Sequence, residues 1–354
     1  MSRKIGRKSS QPAPMAPMVG LVGLVDLVGL TAVLLLGGAL CPTPAQADDS
    51  RLLGIEIQLD NDQFAFTPGS QERWYTSGVF ARWALESDPT DLDARLSAAW
   101  CANVIACDAG ARTARVWSIG QAMYTPAYLG TTAPQPYDWP YAASLSATLS
   151  SIVHGERTRQ SLGLSLGVIG PAALGEPVQN LVHQIINNPP PLGWGLQVRA
   201  QPVVELNWSG MVAAPISAGR IDLVGRALVQ LGNPVTQAGV GAMVRAGALP
   251  QGPEWPGEMA LSRRPQGLHV YAGAEVRGVA RNILIDGETY GYDSLVQHRP
   301  WVAEAIGGAS WAFSKAWSVD YSLSVRTVEF TAPLEPRALN PQRIGMILLR
   351  WTPH

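Results

Sequence analysis

Charged residues are scarce in this sequence. Asp, Glu, Lys and Arg make up 15% of its 354 residues, against about 25% in ordinary globular domains. The formal net charge is -1, which argues against a nucleic-acid partner because such partners attract strongly basic proteins. Only one apolar stretch, close to the N-terminus, is long enough for a membrane helix.

Several catalytic signatures are also absent. The sequence contains no Gly-x-Ser-x-Gly nucleophile elbow, no Cys and His pair and no phosphate-binding loop. The missing elbow argues against a serine lipase, whose nucleophile needs that sharp turn.

The N-terminus has the order of a secretory signal. A basic start is followed by the apolar run from Met18 to Leu40 and by the small-residue sequence Ala45-Gln46-Ala47. This order predicts a cleaved signal peptide over residues 1–47 and a mature protein over 48–354.

Two alternatives to cleavage deserve comparison with that prediction. An uncleaved transmembrane anchor is the first, since the apolar run is long enough to cross a bilayer, but Asp26 inside the run favours cleavage. A lipoprotein anchored at Cys41 is the second, and the bulky Leu40 before it argues against that.

The mature chain reads as a membrane β-barrel. An export signal, few charges and no second apolar span are typical of proteins that cross the outer membrane with strands. The segment LLGIEIQLD alternates strictly between apolar and polar residues, and about a dozen such segments follow one another, which predicts an all-β antiparallel barrel. Charges within the later segments are expected to face the lumen, namely Glu275, Arg277, Asp320 and Arg326.

Two cysteines remain after signal cleavage, Cys101 and Cys107. They lie in an irregular stretch from Glu86 to Arg115, which we interpret as an enlarged connection between strands. An even pair in an exported chain predicts a local disulfide. A metal site is disfavoured, since more ligands would be needed and no histidine is close in sequence.

The first candidate site joins Asn61 and Asp62 to Tyr75, Thr76 and Ser77. Both groups border the loop between the first two strands, so they face each other across a hairpin. Carboxylate, amide and hydroxyl oxygens are ligands that a hard cation such as calcium accepts. The simpler alternative is that Asn-Asp forms a turn at a strand end.

The second candidate is the pair Gln179 and His183, four residues apart in a short helical segment. At that spacing both side chains lie on one helix face, and a histidine can take a proton from water near neutral pH. The alternative is a histidine without a specific role in an exposed loop, as the sequence has five histidines.

The third candidate is the pair Arg263 and Arg264. Adjacent guanidinium groups suit the recognition of a substrate phosphate. Arginines in an interfacial loop also serve simply as anchors in the head-group region, which is the alternative here.

Taken together, these motifs resemble the outer-membrane lipid A deacylase family. The resemblance runs in order through IEIQLDND, RWYTSG, GQAMYTP, DWPYAASL, GVIGPAALGEPVQNLVHQIIN and ALSRRPQGLHVYAGAEVRGVARNILIDG, over nearly all of the mature chain. It implies a barrel of about twelve antiparallel strands. The implied active site lies near the outer leaflet, between the wall and a short extracellular loop helix.

The resemblance also implies an activity and its residues. Members remove the ester-linked acyloxyacyl group at the 3′ position of lipid A, using calcium. By motif, His183 matches the residue that activates water, and Gln179 matches the polar residue one turn before it. Asn61, Asp62 and Thr76 match the cluster that shapes the oxyanion site, with Asp62 and Asn61 as calcium ligands. The implied partners are lipid A, lipopolysaccharide and outer-membrane lipids, and we expect a monomer in the bacterial outer membrane.

The sequence departs from the family pattern at two places. The loop from Ala127 to Tyr137 has no Lys or Arg where basic residues are expected. An acidic residue expected shortly after the histidine is replaced by Asn187, Asn188 and prolines. Two alternatives therefore stay open: a catalytically silent barrel or pore, and a phospholipase A that acts on phospholipids.

Overall fold

The computed structural model of the chain describes residues 52–66, 73–103, 107–217, 219–287, 295–331 and 340–353. The predicted signal peptide, residues 1–47, lies outside the described residues. Within the described ranges no helix is long and apolar enough to cross a bilayer.

Twelve antiparallel strands form a closed barrel, as the alternation predicts. The ring closes because the first strand, Leu52–Asn61, pairs with the second, Trp74–Glu86, on one side and with the last, Gln342–Trp351, on the other. The barrel strands are β1 (Leu52–Asn61), β2 (Trp74–Glu86), β3 (Arg112–Thr125), β4 (Ala142–His154), β5 (Thr158–Ile169), β6 (Gln201–Ser217), β7 (Ile221–Gly232), β8 (Val235–Gly247), β9 (Gly267–Asn282), β11 (Trp301–Ala312), β12 (Trp317–Arg326) and β14 (Gln342–Trp351). A separate two-stranded sheet joins β10 (Gln297–His298) and β13 (Phe330–Thr331).

Short helices occupy the connections between strands. The α-helices are α1 (Leu92–Asn103), α2 (Gly175–Ile185) and α3 (Ile283–Asp286). The 3-10 helices are Asp62–Ala65, Pro171–Ala173 and Trp194–Leu196. The prediction of irregular structure from Glu86 to Arg115 is wrong where α1 forms. The predicted disulfide is confirmed, with Cys101 and Cys107 joined and their Cα atoms 5.4 Å apart.

Alternation assigns each strand residue to the lumen or to the outer face. On β1, Glu56 is fully buried in the lumen, while Ile55 beside it is 37% exposed on the outside. On the neighbouring β3 and β4, Trp117 and Leu149 are register partners and both are exposed on the outer face. One strand residue in two therefore faces lipid, as the side-chain period of a strand requires.

The two ends of the barrel differ in their connections. At the end where β1 begins and β14 ends, three connections have only three or four residues, 155–157, 218–220 and 313–316, and two are longer, 87–111 and 248–266. At the other end lie the long connections that carry α2, α3 and the 3-10 helices. Because outer-membrane barrels have short periplasmic turns and longer extracellular loops, we assign the second end to the cell exterior.

The segment between β8 and β9, residues 248–266, crosses the lumen. The Ala260 N–H donates to Glu56 Oε1 on β1 at 2.9 Å, and Glu258 accepts from Arg226 on β7 at 2.7 Å. Since β1 and β7 stand opposite each other in the ring, this segment spans the lumen from wall to wall. A polar cavity of about 470 Å³ remains beside it.

Charged side chains on the inner face pair with one another. Arg226 contacts Glu275, and Arg277 and Arg326 both donate to Glu304 at 3.0 and 2.9 Å. This confirms that Glu275, Arg277 and Arg326 face the lumen, and Asp320 lies there as well, 3.6 Å from Arg264. Buried charges persist only when paired in this way, so the lumen is a network of ion pairs.

Candidate functional site

The helix α2 lies against the outer face of the wall, over β3 and β4. Met123 and Ala143 are register partners whose side chains point outward, yet both are buried because α2 and the residues on either side of it cover them. The approach is close: a Cβ on Gly175 would come within 2.5 Å of the Ala143 Cβ. Glycine at the start of α2 therefore lets the helix approach the wall.

Both ends of α2 are defined by residues in the left-handed conformation. Leu174 precedes the helix with φ 61°, and Asn187 follows it with φ 54°. At the C-terminal end the Asn188 N–H donates to the His183 carbonyl at 2.8 Å, and the Asn187 N–H donates to Gln184 at 3.3 Å. These two bonds form a Schellman motif. Because proline cannot continue a helix, the following prolines turn the chain back along α2.

The two candidate side chains on α2 are buried between the helix and its neighbours. His183 is 3% exposed and Gln179 is 2% exposed, so the alternative of a histidine in an exposed loop is wrong. His183 Nδ1 lies 2.6 Å from the Pro189 carbonyl oxygen. The Trp194 indole N–H donates to Gln179 Oε1 at 2.8 Å. Each side chain is thus oriented by the segment that follows the helix.

Asn61 and Asp62 lie where β1 ends and a 3-10 helix begins. Asn61 faces outward and caps that helix, since its Oδ1 accepts the Gln63 N–H at 2.7 Å. Asp62 is the first residue of the 3-10 helix and is 2% exposed, and its Oδ2 accepts the Arg73 N–H at 2.9 Å. In a continuous strand Asn61 and Asp62 would point to opposite faces. Asp62 belongs to the 3-10 helix instead, so this alternation does not apply to it.

This 3-10 helix also lies on the outer face, over β14 and β12. The Tyr321 hydroxyl on β12 donates to the Phe64 carbonyl at 2.8 Å. A Cβ on Gly345 of β14 would lie 2.4 Å from the Phe64 backbone. The helix therefore approaches β14 at a position that glycine leaves open, so two helical segments flank the outer face of β1 and β2.

Thr76 lies between these two segments, at a bulge in β2. The register between β2 and β3 shifts there, and Thr76 is buried with its Oγ1 2.7 Å from Thr125 Oγ1. The neighbouring outward positions Asn61, Ser77 and Met123 stand in one row across three strands. With strands about 4.8 Å apart, that row is about 10 Å long.

The structure therefore brings the five predicted catalytic residues to one region. Asn61, Asp62, Thr76, Gln179 and His183 all lie at the extracellular edge of the outer face, around β1, β2 and β3. A water molecule and a lipid ester held there would meet a histidine, an amide and several oxygen donors. These are the types of group that hydrolysis of an ester by water requires.

The oxygen donors at the end of β1 are of the type that calcium accepts. Asp62 supplies a carboxylate, Asn61 an amide oxygen and Thr76 a hydroxyl. Among the described residues, however, no group of three or more His, Cys, Asp or Glu is arranged to hold a metal. A calcium ion here would therefore need water, substrate or main-chain oxygens to complete its shell.

Arg263 and Arg264 lie away from this region, at the periplasmic end of the lumen. Arg264 contacts Glu254 and donates to Ser310 Oγ at 2.6 Å, close to the periplasmic end of β11. Arg263 lines a cavity at that same mouth together with Asp108 and His154. The structure does not bring either arginine near His183, because the residues around LSRRP belong to the segment that crosses the lumen.

Other residues at the site were not singled out from the sequence. Gln121 Nε2 donates to the Ala173 carbonyl at 2.6 Å and so anchors the approach to α2. Arg73 donates to the Asn340 carbonyl at 3.2 Å and stacks on Trp74. Partial burial lowers the pKa of Arg73, and the nearby Asp138 and Asp62 carboxylates oppose that shift. Gln121 and Arg73 lie within the motifs GQAMYTP and RWYTSG, so the resemblance covered them without assigning either a role.

Comparison with known proteins identifies the family. A family model described as outer membrane protein LpxR matches residues 30–352. The chain belongs to the LpxR family of outer membrane proteins. Among solved structures, LpxR from Salmonella typhimurium is similar with a TM-score of 0.66 and 22% identity, covering 84% of this chain and 99% of that one. The translocator domain of autotransporter NalP from Neisseria meningitidis gives a TM-score of 0.39 and 10% identity, covering 94% and 99%.

Membership of the LpxR family confirms the resemblance noted in the sequence and places the protein in the outer membrane. The likeness to the Salmonella LpxR barrel also agrees with the twelve-strand closed ring. A comparison of the sequence with curated proteins found no match.

Proposed function

We propose that this protein is an outer-membrane ester hydrolase that uses calcium to remove the 3′-linked acyloxyacyl chain from lipid A. The observation that carries the proposal is a buried histidine on the lipid side of the wall. His183 lies at the extracellular edge with Nδ1 2.6 Å from the Pro189 carbonyl. Membership of the LpxR family supports the same substrate.

The chemistry is a hydrolysis in which His183 acts as general base. Nε2 takes a proton from water as the water oxygen bonds to the ester carbonyl carbon, and the carbonyl oxygen becomes negative. N–H and O–H donors such as Gln179 and Thr76 stabilise that oxygen. When the intermediate collapses, the bond to the sugar oxygen breaks and that oxygen takes the proton from His183. The products are a free fatty acid and a sugar hydroxyl.

Calcium, when bound, would add positive charge beside the developing oxyanion. Asp62 and Asn61 would hold it, since they supply a carboxylate and an amide oxygen at the end of β1. If this is correct, a chelator abolishes hydrolysis and calcium restores it, while Asp62→Asn weakens binding of the ion and raises the calcium concentration needed for half-maximal activity. Unchanged activity in chelator would refute the calcium requirement.

The wall below the polar residues suits the acyl chains of the substrate. Outward-facing apolar residues of β1, β2 and β3 form one cluster beneath the extracellular edge, including Ile57, Leu59, Val79 and Ile119. A lipid in the outer leaflet can therefore lie along the wall with its chains in hydrocarbon and its ester bonds at the level of His183.

The test is to profile lipid A by mass spectrometry in cells that produce the wild type or His183→Ala. The expected result is loss of the 3′ acyloxyacyl chain with the wild type and retention of that chain with His183→Ala. His298→Ala is the matched control, because His298 also lies at the extracellular end and bonds through Nδ1, to Asp286. Identical lipid A from the wild type and His183→Ala, with both folded in the membrane, would refute the enzyme.

The two alternatives make different predictions. A pore requires an open lumen, but residues 248–266 cross it between Glu56 and Arg226, so we expect no steady conductance in planar bilayers. A phospholipase A is favoured by the loop from Ala127 to Tyr137, which has no basic residue for a phosphorylated sugar. Assays of the purified protein on phospholipid and on lipid A separate these substrates.

A further inference from the structure

The segment that follows α2 contacts both Gln179 and His183 of the helix from the same side. Pro189 offers its carbonyl oxygen to His183 Nδ1 at 2.6 Å, and Trp194 offers its indole N–H to Gln179 at 2.8 Å. Residues 187–194 are asparagines, prolines, Leu192, Gly193 and Trp194, with no charged side chain among them. The segment therefore contacts His183 and Gln179 without any charged side chain.

The partner atom of Nδ1 determines which ring nitrogen of His183 is protonated. A carbonyl oxygen can only accept a hydrogen bond, so Nδ1 must be the protonated nitrogen. A neutral imidazole has one donor and one acceptor nitrogen, so Nε2 keeps its lone pair. The Pro189 carbonyl thereby selects the tautomer that can take a proton from water.

The same reasoning determines how the Gln179 amide points. An indole nitrogen can only donate, so the atom of Gln179 beside Trp194 must be the carbonyl Oε1. The amide NH₂ is then directed away from Trp194 as a donor. Trp194 is itself 1% exposed and packs on Tyr141 with ring centroids 5.2 Å apart, so its N–H direction is fixed by packing.

We propose that residues 187–194 are a positioning element that makes His183 an acceptor at Nε2 and Gln179 a donor at its amide nitrogen. An acceptor and a donor one helical turn apart are the pair that ester hydrolysis by water requires. The group that orients His183 is the main-chain carbonyl of Pro189, 2.6 Å from Nδ1. This inference rests on the proposed function, which supplies the reaction.

The backbone geometry explains why this segment can hold its place without a charge. Asn187 is left-handed, and the Schellman bonds from Asn187 and Asn188 fix the direction of the chain. Prolines 189–191 each have a restricted φ, so few alternative paths exist. The Leu192 N–H then donates to the Leu129 carbonyl at 2.9 Å, which ties the segment to the neighbouring loop.

The tryptophan arm of the test compares two equivalent hydrogen bonds. Trp194→Phe removes the indole N–H and keeps an aromatic ring, so the Gln179 amide can turn over. Trp208→Phe is the matched control, because Trp208 donates in the same way to Gln160 Oε1 at 3.1 Å on the wall of β5 and β6. We expect kcat to fall about tenfold with Trp194→Phe, as one transition-state hydrogen bond is lost, and KM to stay within about twofold. Trp208→Phe should leave both unchanged.

The second part of the test concerns His183. A substitution cannot remove the main-chain carbonyl of Pro189, so the backbone at the end of α2 is changed at Asn187 to displace that carbonyl. Asn187→Gly keeps the left-handed conformation, whereas Asn187→Val resists it because of its branched Cβ. We expect wild-type kcat with glycine and at least about tenfold lower kcat with valine. In wild-type protein labelled with ¹⁵N-histidine, the His183 signals, assigned with His183→Gln, should show Nδ1 protonated and Nε2 unprotonated.

Several outcomes would overturn the positioning role. A protonated Nε2 in the wild type would do so, as would full kcat per folded molecule with Trp194→Phe or with Asn187→Val. A purely structural role would lower the folded fraction, measured by heat-modifiable electrophoretic mobility, without changing kcat of the folded protein. If the wild type cleaves neither lipid A nor phospholipid, the proposed function fails, while the ¹⁵N spectrum still tests the orientation of His183.

Discussion

Substitution of Gly345 on β14 would displace the 3-10 helix that carries Asp62 without changing any of the proposed catalytic side chains. The residue faces outward beneath the 3-10 helix that begins at Asp62, and a Cβ added there would lie 2.4 Å from the Phe64 carbonyl carbon and oxygen. Ordinary van der Waals contact begins at 3.4 Å, so Gly345→Ala must displace that backbone by about 1 Å. A misplacement of that size can cost about 100-fold in rate.

We therefore expect Gly345→Ala to lower kcat/KM by about 100-fold, which corresponds to about 2.7 kcal/mol, with the barrel still folded. The matched control is Gly225→Ala, since Gly225 also faces outward from a strand but a Cβ there would meet nothing within 4 Å. Ester hydrolysis in micelles, normalised to the folded fraction, gives the comparison. Wild-type activity with Gly345→Ala would show that the position of the 3-10 helix does not matter for catalysis.

Two further substitutions test the scaffold rather than the site. Glu258→Gln removes the charge 3.5 Å from the buried guanidinium of Arg159. Leaving a buried charge without its partner costs about 3 kcal/mol, so unfolding should shift to lower urea concentration, whereas the exposed Glu156→Gln should not shift it. Replacing both Cys101 and Cys107 by serine opens a loop with a sequence separation of 6. That change should cost at most about 2 kcal/mol and leave kcat unchanged, because the disulfide lies at the periplasmic end; a loss of activity in the folded double variant would contradict this placement.

The barrel could be predicted from the sequence because its signal is local. Residues such as Leu53, Ile55 and Ile57 alternate with polar neighbours, and that alternation decides which face each side chain takes, whatever the partner strand. The helix α1 was missed for the opposite reason. Its sequence, LDARLSAAWCAN, has no clear apolar stripe, and of its residues only Ala94 and Ser97 are buried, so helical periodicity was weak.

The candidate site was only partly predictable. The spacing of Gln179 and His183 indicated a shared helix face, but burial of His183 depends on α2 lying against Met123 and Ala143, which are distant in sequence. No local pattern tells whether a loop helix lies on the lipid side or enters the lumen. The same limit applies to Arg264, whose contacts with Glu254 and Ser310 arise only because its segment crosses the barrel.

The inner and outer faces of the barrel wall have different roles. They are separated because successive side chains of a strand point to opposite faces. Inward side chains such as Glu56 and Arg350 hold the ion-pair network together, where removal of one partner leaves an uncompensated buried charge. Outward positions at the extracellular edge, such as Asn61 and Gly345, meet the helical segments and the lipid instead. Inward substitutions should therefore change the free energy of unfolding, and outward ones at this edge should change kcat/KM. A set of paired substitutions at successive residues of β1 would test the division, because neighbours in sequence should then fall into opposite classes.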